Sequence, residues 1–227
     1  MVVSPRTKEP NRQQLSREVV LRAAMDLADA EGIEQLSMRR LAQTLGVEAM
    51  SLYYYFGKKS ELLEAMVDAV YAEMELPSGG DWRAALRSAA IDAHHTLLRH
   101  AWACSLIMVP NSDPGLSTSR FAWMDAVLRT LRQAGFSPRL IDHGYHALDS
   151  HIVGFALWVL PYLAVTEEEG AGFASQFLSY EPIQALPDLL DHIRWHVRPE
   201  HVDDSSSFDF ALDLLLDGLE RLRDSEG

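Results

Sequence analysis

From Val20 to Leu222 the apolar residues of this chain recur three and four positions apart, with no sustained apolar–polar alternation between turn signals. Helices gather positions three and four apart onto one face, whereas strands need a period of two, so the pattern restricts the chain to helices packed on helices. The expected fold class is all-α. Ser16 caps a first helix that stops at Gly32; a second runs Met38 to Leu45 and is stopped by Gly46; a third covers Ala49 to Tyr55. Ser60 caps a long fourth helix to Glu75, and Leu76-Pro77-Ser78-Gly79-Gly80 is the clearest break. Beyond it, helices are expected from Asp81 towards His100, then to just before Pro110, from Leu116 to Ala134, Pro138 to Leu160, Pro187 to His196 and Ser206 to Leu222. Asn111 to Gly115 reads as a turn and Thr166 to Pro182 as a loop.

With 227 residues, 48% of them hydrophobic and 23% charged, the chain has the balance of a globular protein with a sizeable core. One cysteine, Cys104, excludes an internal disulfide and suits a reducing cytoplasm. The longest uncharged stretch, Ser150 to Thr166, is shorter than a membrane-spanning helix requires, and no apolar signal segment opens the chain. A soluble, cytoplasmic protein without a membrane partner is therefore expected. The net charge of −13 is unevenly spread: residues 1–60 carry nine Lys/Arg against seven acids, leaving eleven against 26 beyond. That asymmetry points one end of the chain at an anion.

Residues 16–56 have the spacing of a helix-turn-helix built on a preceding helix. Leu41, Ala42, Leu45, Gly46, Val47 and Leu52 put small or apolar residues where two short helices cross, and Gly46 suits a turn that needs positive φ. Any helical corner satisfies that spacing, so the surface decides. The short helix presents Ala49, Met50, Ser51, Tyr53, Tyr54 and Tyr55, flanked by Lys58 and Lys59. Three consecutive tyrosines cannot all be core, and hydroxyl and ammonium groups contact phosphates.

Leu36-Ser37-Met38-Arg39-Arg40-Leu41-Ala42, Leu45-Gly46-Val47, Ser51-Leu52-Tyr53-Tyr54-Tyr55-Phe56 and Lys59-Ser60-Glu61-Leu62-Leu63 together resemble the DNA-binding domain of tetracycline-repressor family regulators. The resemblance implies a homodimeric, all-helical repressor that binds a palindromic double-stranded DNA operator and is released by a small molecule. Its domains would be a helix-turn-helix domain over residues 1–60 with an arm over 1–15, a connecting helix and linker over 61–80, and an effector-binding and dimerisation domain over 81–227. By position, Ser37 and Arg39 would meet the backbone or a base edge; Ala49, Met50, Ser51 and Tyr53 would face the major groove; Tyr55, Lys58 and Lys59 would grip phosphates. Ala49 and Met50 can sense thymine methyl groups but cannot hydrogen-bond guanine.

Asp81-Trp82, Ala134-Gly135-Phe136-Ser137 and Phe208, Leu215 and Gly218-Leu219-Glu220 resemble the effector domain of the tetracycline-repressor branch, where the helices near 138–160 and 206–222 would form a four-helix bundle between two copies. Phe208, Ala211, Leu212, Leu215, Leu219 and Leu222 make one apolar stripe, widened by Phe210 and Leu214, with Asp209, Asp213 and Asp217 as the wet stripe opposite. Gly144, Ala147, His151 and Gly154 offer flat positions for a neighbouring backbone. The founding member's two magnesium–drug histidines have no counterpart in Tyr71 to Glu75 or Ser105 to Met108. The expected effector is therefore hydrophobic or aromatic rather than a metal chelate, bound among Trp102, Met108, Trp123, Met124, Leu128, His146, Asp149, Ser150 and Trp158, with His95 as a further polar group.

Catalytic signatures are missing: there is no Gly-x-Ser-x-Gly, no phosphate-cradling glycine loop, no His-Glu-x-x-His and no Glu-x-x-His pair. His192 and His196, with Glu200 and His201 nearby, are the best-spaced metal candidates, yet a solvated helix face accounts for them; Cys104 reads as inert core. No enzyme, metal or cofactor is expected. The alternative is a helical bundle that binds or transforms a hydrophobic molecule without binding DNA.

Overall fold

The computed structural model describes residues 15–108, 118–163, 172, 175, 176, 178–196 and 204–226. Residues 1–14 of the expected arm, the Asn111 to Gly115 turn, the three glutamates at 167–169, and Glu200 and His201 lie outside the described residues. The described residues form helices and connecting turns, with no strand among them. Two units are distinct, residues 1–66 and 67–227.

In the first unit, α1 (Arg17–Glu31) is capped by Ser16, whose Oγ accepts from the Val19 amide at 3.2 Å. A single 3-10 turn over Ile33–Gln35, which apolar spacing did not signal, leads into α2 (Met38–Leu45). Ser37 caps α2 by accepting from the Arg40 amide at 3.1 Å. Gly46 ends it in the left-handed region at φ 66 and ψ 33. The Val47 amide donates to the Ala42 carbonyl at 3.0 Å and the Gly46 amide to Gln43 at 3.2 Å, the paired closure that such a helix end requires. Helix α3 (Ala49–Leu52) is shorter than expected, because the chain turns at Tyr53 to Tyr55 instead of continuing it. Helix α4 (Lys59–Glu73) begins before Ser60, so Ser60 is not its cap; a carboxylate oxygen of Glu61 accepts from the Gly57 amide instead, at 2.9 Å. The core of this unit is Val20, Ala24, Leu36, Leu41, Leu52, Phe56, Leu62 and Met66, all essentially without solvent contact.

In the second unit, α5 (Trp82–Arg99), α7 (Thr118–Gln133) and α11 (Asp204–Glu226) all pack on α8 (Pro138–Leu163), with the short α6 (Ala101–Ile107) against α5 and α8. Helix α8 extends past the expected Leu160 and carries Pro161 in its last turn, where few downstream hydrogen bonds are lost. The alanine-rich face of α5 lets α8 approach: Ala89, Ala90 and Ala93 are buried beside Leu86 and Leu97. Gly144 admits α11, since a Cβ there would lie 3.2 Å from the Leu219 side chain. A short helix α9 (Glu181–Gln184) precedes α10 (Pro187–His196).

Two expectations about α11 are corrected. Its aspartates are wet but not unpartnered: Asp217 lies 2.6 Å from Arg83, and Asp213 and Asp209 lie 3.0 and 3.2 Å from Arg87, forming a half-exposed ionic seam between α5 and α11. The seam rotates the helix, so the buried line is Phe208, Leu212, Leu216 and Leu219, whereas Phe210, Leu214 and Leu222 are exposed. His151 does not open a flat position to another backbone; its ring stacks on Phe208 at 4.5 Å and its Nε2 lies 3.1 Å from the Phe208 carbonyl oxygen.

Candidate functional site

In the first unit the exposed residues cluster at the turn and α3. Leu52 and Phe56 point inward and anchor the segment. That registration turns Met50 (74% exposed), Tyr54 (87%), Tyr53 (42%) and Ser51 outward, with Ala49 half-buried. A methionine and two tyrosines left in water on one short segment are what a base-reading surface requires and a structural corner does not. Tyr54 was not among the residues assigned to DNA from the sequence. The sequence placed it on the presented face without a DNA role, and with Leu52 and Phe56 inward it is the most exposed of the three tyrosines.

Cations flank this face. Arg39, Lys58 and Lys59 are exposed. Arg40 is not available in the same way, since its guanidinium donates to a Glu31 carboxylate oxygen at 2.7 Å. The Ser37 hydroxyl accepts a backbone proton and keeps its own proton to donate. Lys59 donates to the Leu36 carbonyl at 2.5 Å, which fixes the start of α4 beside α2, and an ammonium retains further protons for a phosphate. Tyr55, expected at a phosphate, donates its hydroxyl proton to the Leu15 carbonyl at 2.7 Å and so ties the entry of α1 to the turn. Arg17 braces the same corner, with its guanidinium 4.3 Å from the centre of the Phe56 ring.

In the second unit the residues expected to hold an effector separate into two groups. Trp123 of α7 and Asp149 of α8 are brought to one interior region with Tyr71 of α4, Arg120 of α7 and Tyr145 of α8. Trp123 is 2% exposed, and its ring centre lies 6.3 Å from that of Tyr71. The Arg120 guanidinium sits 5.8 Å from the centre of the Tyr71 ring. Burial pushes the Asp149 carboxyl above the usual carboxylate range, against the opposing pull of Arg120. Burial, and then the Asp149 charge, push the Tyr145 hydroxyl up to about 12 and the Tyr71 hydroxyl further still. Trp102 is buried on α6 with its ring 5.9 Å from that of His100, and Met124 and Leu128 are half-buried on α7.

The remaining residues face outward. Met108 is exposed at the end of α6, Ser150 is exposed, and His146 is exposed with its Nε2 3.6 Å from Asp142. Trp158 is half in solvent, with its ring 5.6 Å from Phe155. Tyr71 and Arg120 were missed because polar residues on an apolar face carry no sequence signal of convergence. A solvent-open cleft of about 470 Å³ runs along α5, lined by Glu75, Ala84, Arg87, Ser88, Ile91, Asp92 and His95. Of the residues expected at the effector, His95 lines it and the other nine do not.

Asp68 of α4 joins α4 to the start of α7. Its carboxylate accepts from the Ser119 amide at 2.7 Å and the Arg120 amide at 3.2 Å, the two donors that a helix start leaves unpaired. Cys104 is buried, and its thiol is pushed up to about 11, so it is protonated at neutral pH. Among the described residues no three His, Cys, Asp or Glu side chains are grouped to hold a metal. No helix among them is long and apolar enough to cross a membrane.

Comparison with known proteins agrees with this division of the chain. Residues 20–66 match the family model for bacterial regulatory proteins of the tetR family, and residues 76–223 match that for the tetracyclin repressor-like C-terminal domain. The HTH-type transcriptional repressor DrrR1 of Streptomyces coeruleorubidus is 35% identical, over 92% of this chain and 78% of its own. The class C tetracycline repressor protein of Escherichia coli is 29% identical, over 92% of each. The crystal structure of Streptomyces coelicolor ActR in complex with actinorhodin superposes with a TM-score of 0.73 at 25% identity, covering 92% of this chain and 99% of that one.

Proposed function

The chain belongs to the tetracycline-repressor family of bacterial regulators, and from that premise we propose that it is a ligand-responsive transcriptional repressor. As a homodimer it binds a palindromic operator and leaves it when a small, hydrophobic or aromatic effector occupies the second unit. The observation that carries the reading is the outward face of α3 and its turn. Met50, Ser51, Tyr53 and Tyr54 stand in water beside Arg39, Lys58 and Lys59, on a corner held by Gly46 and by buried Leu52 and Phe56. Ser37, Arg39, Lys58 and Lys59 position the domain on phosphates or at the groove edge. Ala49, Met50, Ser51 and Tyr53 read bases.

The dimer forms through α8 and α11. Phe210 (67% exposed) and Leu214 (54%) lie on α11, with Leu157 and Trp158 on α8, an apolar surface that an isologous contact would bury. Helix α4 supplies Leu62 and Met66 to the core of the first unit and Tyr71 to the interior of the second. An occupant that binds better to one placement of α4 shifts the population away from the DNA-competent dimer.

The test is a salt-dependent footprint of the purified protein on DNA upstream of its own gene. Protection of a palindrome spanning two adjacent major grooves, about 34–36 Å apart, and lost steeply with salt, is expected. A protein that retains neither this DNA nor random genomic fragments at low salt is not a repressor of this kind.

A further inference from the structure

We infer that Trp123 is the hydrogen-bond donor of the effector site and that the effector is an uncharged, flat, conjugated molecule bearing a carbonyl oxygen. The inference rests on the repressor reading above and adds the chemistry of the ligand. The indole Nε1 of Trp123 is buried without a hydrogen-bond partner. An indole N–H can only donate, and native proteins rarely leave such a donor unpaired in the interior, so the missing partner is an acceptor. The ring of Tyr71 stands beside the indole, tilted by 60°. Aromatic walls favour a planar conjugated body over a branched aliphatic one.

Charge narrows the class further. Arg120 and Asp149 act on each other and on both tyrosines, one positive and one negative. An anionic ligand would face Asp149, and a cationic ligand would face Arg120; a carbonyl oxygen accepts the indole proton while leaving that balance intact. The placement also bears on regulation. Tyr71 is on α4, one turn from Asp68, and Asp68 holds the amide of Arg120. An occupant at Trp123 is therefore bounded by the same helix that continues into the first unit.

The probes are 9-fluorenone and fluorene, which share one tricyclic frame and differ in carrying a carbonyl or a methylene group, with fluorene-9-carboxylate as the anionic counterpart. Binding to the full-length protein is read by equilibrium dialysis. Fluorenone is expected to bind about tenfold more tightly than fluorene, the effect of one hydrogen bond to a buried donor, and more tightly than the carboxylate. Trp123→Phe should bring fluorenone to within about twofold of fluorene.

A second measurement needs no variant at this position. Of the five tryptophan indole N–H resonances of the wild-type protein, assigned through the other four Trp→Phe variants, that of Trp123 should move with fluorenone and stay in place with fluorene. Equal affinity for fluorenone and fluorene, a preference that survives Trp123→Phe, a response at another tryptophan, tighter binding of the carboxylate, or no binding of fluorenone overturns the inference. Retention of DNA without any probe tests the repressor reading separately, and its failure would leave the fluorenone result standing.

Discussion

Replacing His94 by phenylalanine should flatten the loss of stability that the protein suffers in mild acid. His94 is 3% exposed on α5, and its ring stacks on Phe208 of α11 at 4.1 Å, only 8° from parallel. Burial, reinforced by the neighbouring His95 and His151, brings its imidazole down to about 4 despite the opposing charge of Asp209. In the unfolded chain the same group titrates near 6.5, so below that pH the unfolded state takes up the proton first. The stability held by neutral His94 is therefore complete above about pH 6.5 and is lost as the pH falls from there towards 4. At about 1.4 kcal/mol for each pH unit, the full interval is worth about 3 kcal/mol, of which about 2 kcal/mol is gone at pH 5. That is a large share of the 5–15 kcal/mol typical of a folded domain.

Phenylalanine keeps an aromatic ring against Phe208 and removes both the titration and the unpaired Nδ1. Urea unfolding at about pH 7.5 and pH 5, at one protein concentration because a dimer's stability depends on it, should show the wild type losing about 2 kcal/mol more than His94→Phe. His151, also lowered by burial, is present in both proteins. Parallel losses in the two proteins would refute the argument.

Four further outcomes are expected. Lys59→Ala should weaken binding to every DNA sequence and reduce the salt slope by about one, whereas Ser51→Ala should change sequence preference; anisotropy titrations across salt and across operator variants read both, and indistinguishable effects would count against the assigned roles. Tyr55→Phe, which removes the hydroxyl bound to the Leu15 carbonyl, should cost the first unit about 1 kcal/mol in denaturant unfolding, and an unchanged midpoint would contradict that role. Gly46→Ala should cost about 1 kcal/mol by the same assay, because φ of 66 strains a side chain although a Cβ would meet no atom within 4 Å. Leu214→Glu should turn the dimer into monomer in sedimentation while the helical circular dichroism stays unchanged; a variant that stays dimeric would remove α11 from the interface.

Much of the helix-turn-helix was legible in advance because its determinants are local. Ser16 caps the helix it precedes, and Gly46 adopts the conformation that only glycine takes cheaply. Each acts within a few residues, so composition and spacing suffice. The reading was poorer where a partner from elsewhere in the chain decides the outcome. Ser60 looks like a cap in isolation, but the Glu61 side chain closes the turn by reaching back to Gly57. A third helix to Tyr55 fits the apolar spacing, yet inward Leu52 and Phe56 and the bond to Leu15 turn the chain earlier.

By itself the sequence determined that this chain would be all-helical and where Ser16, Gly32 and Gly46 bound its first helices, because periodicity, caps and a positive-φ glycine are local properties of the backbone; the DNA-reading corner was read from its surface residues and their resemblance to a family. Only the tertiary structure decided which face of each helix is inside. Asp209, Asp213 and Asp217 look like a solvated stripe until Arg83 and Arg87 of α5 stand opposite them. That pairing turns Phe210 and Leu214 outward. Trp123, Tyr71, Tyr145 and Asp149 lie on three helices and meet only through packing on α8. A side chain's pairing energy depends on groups distant in the chain, and that information exists only once the helices have packed.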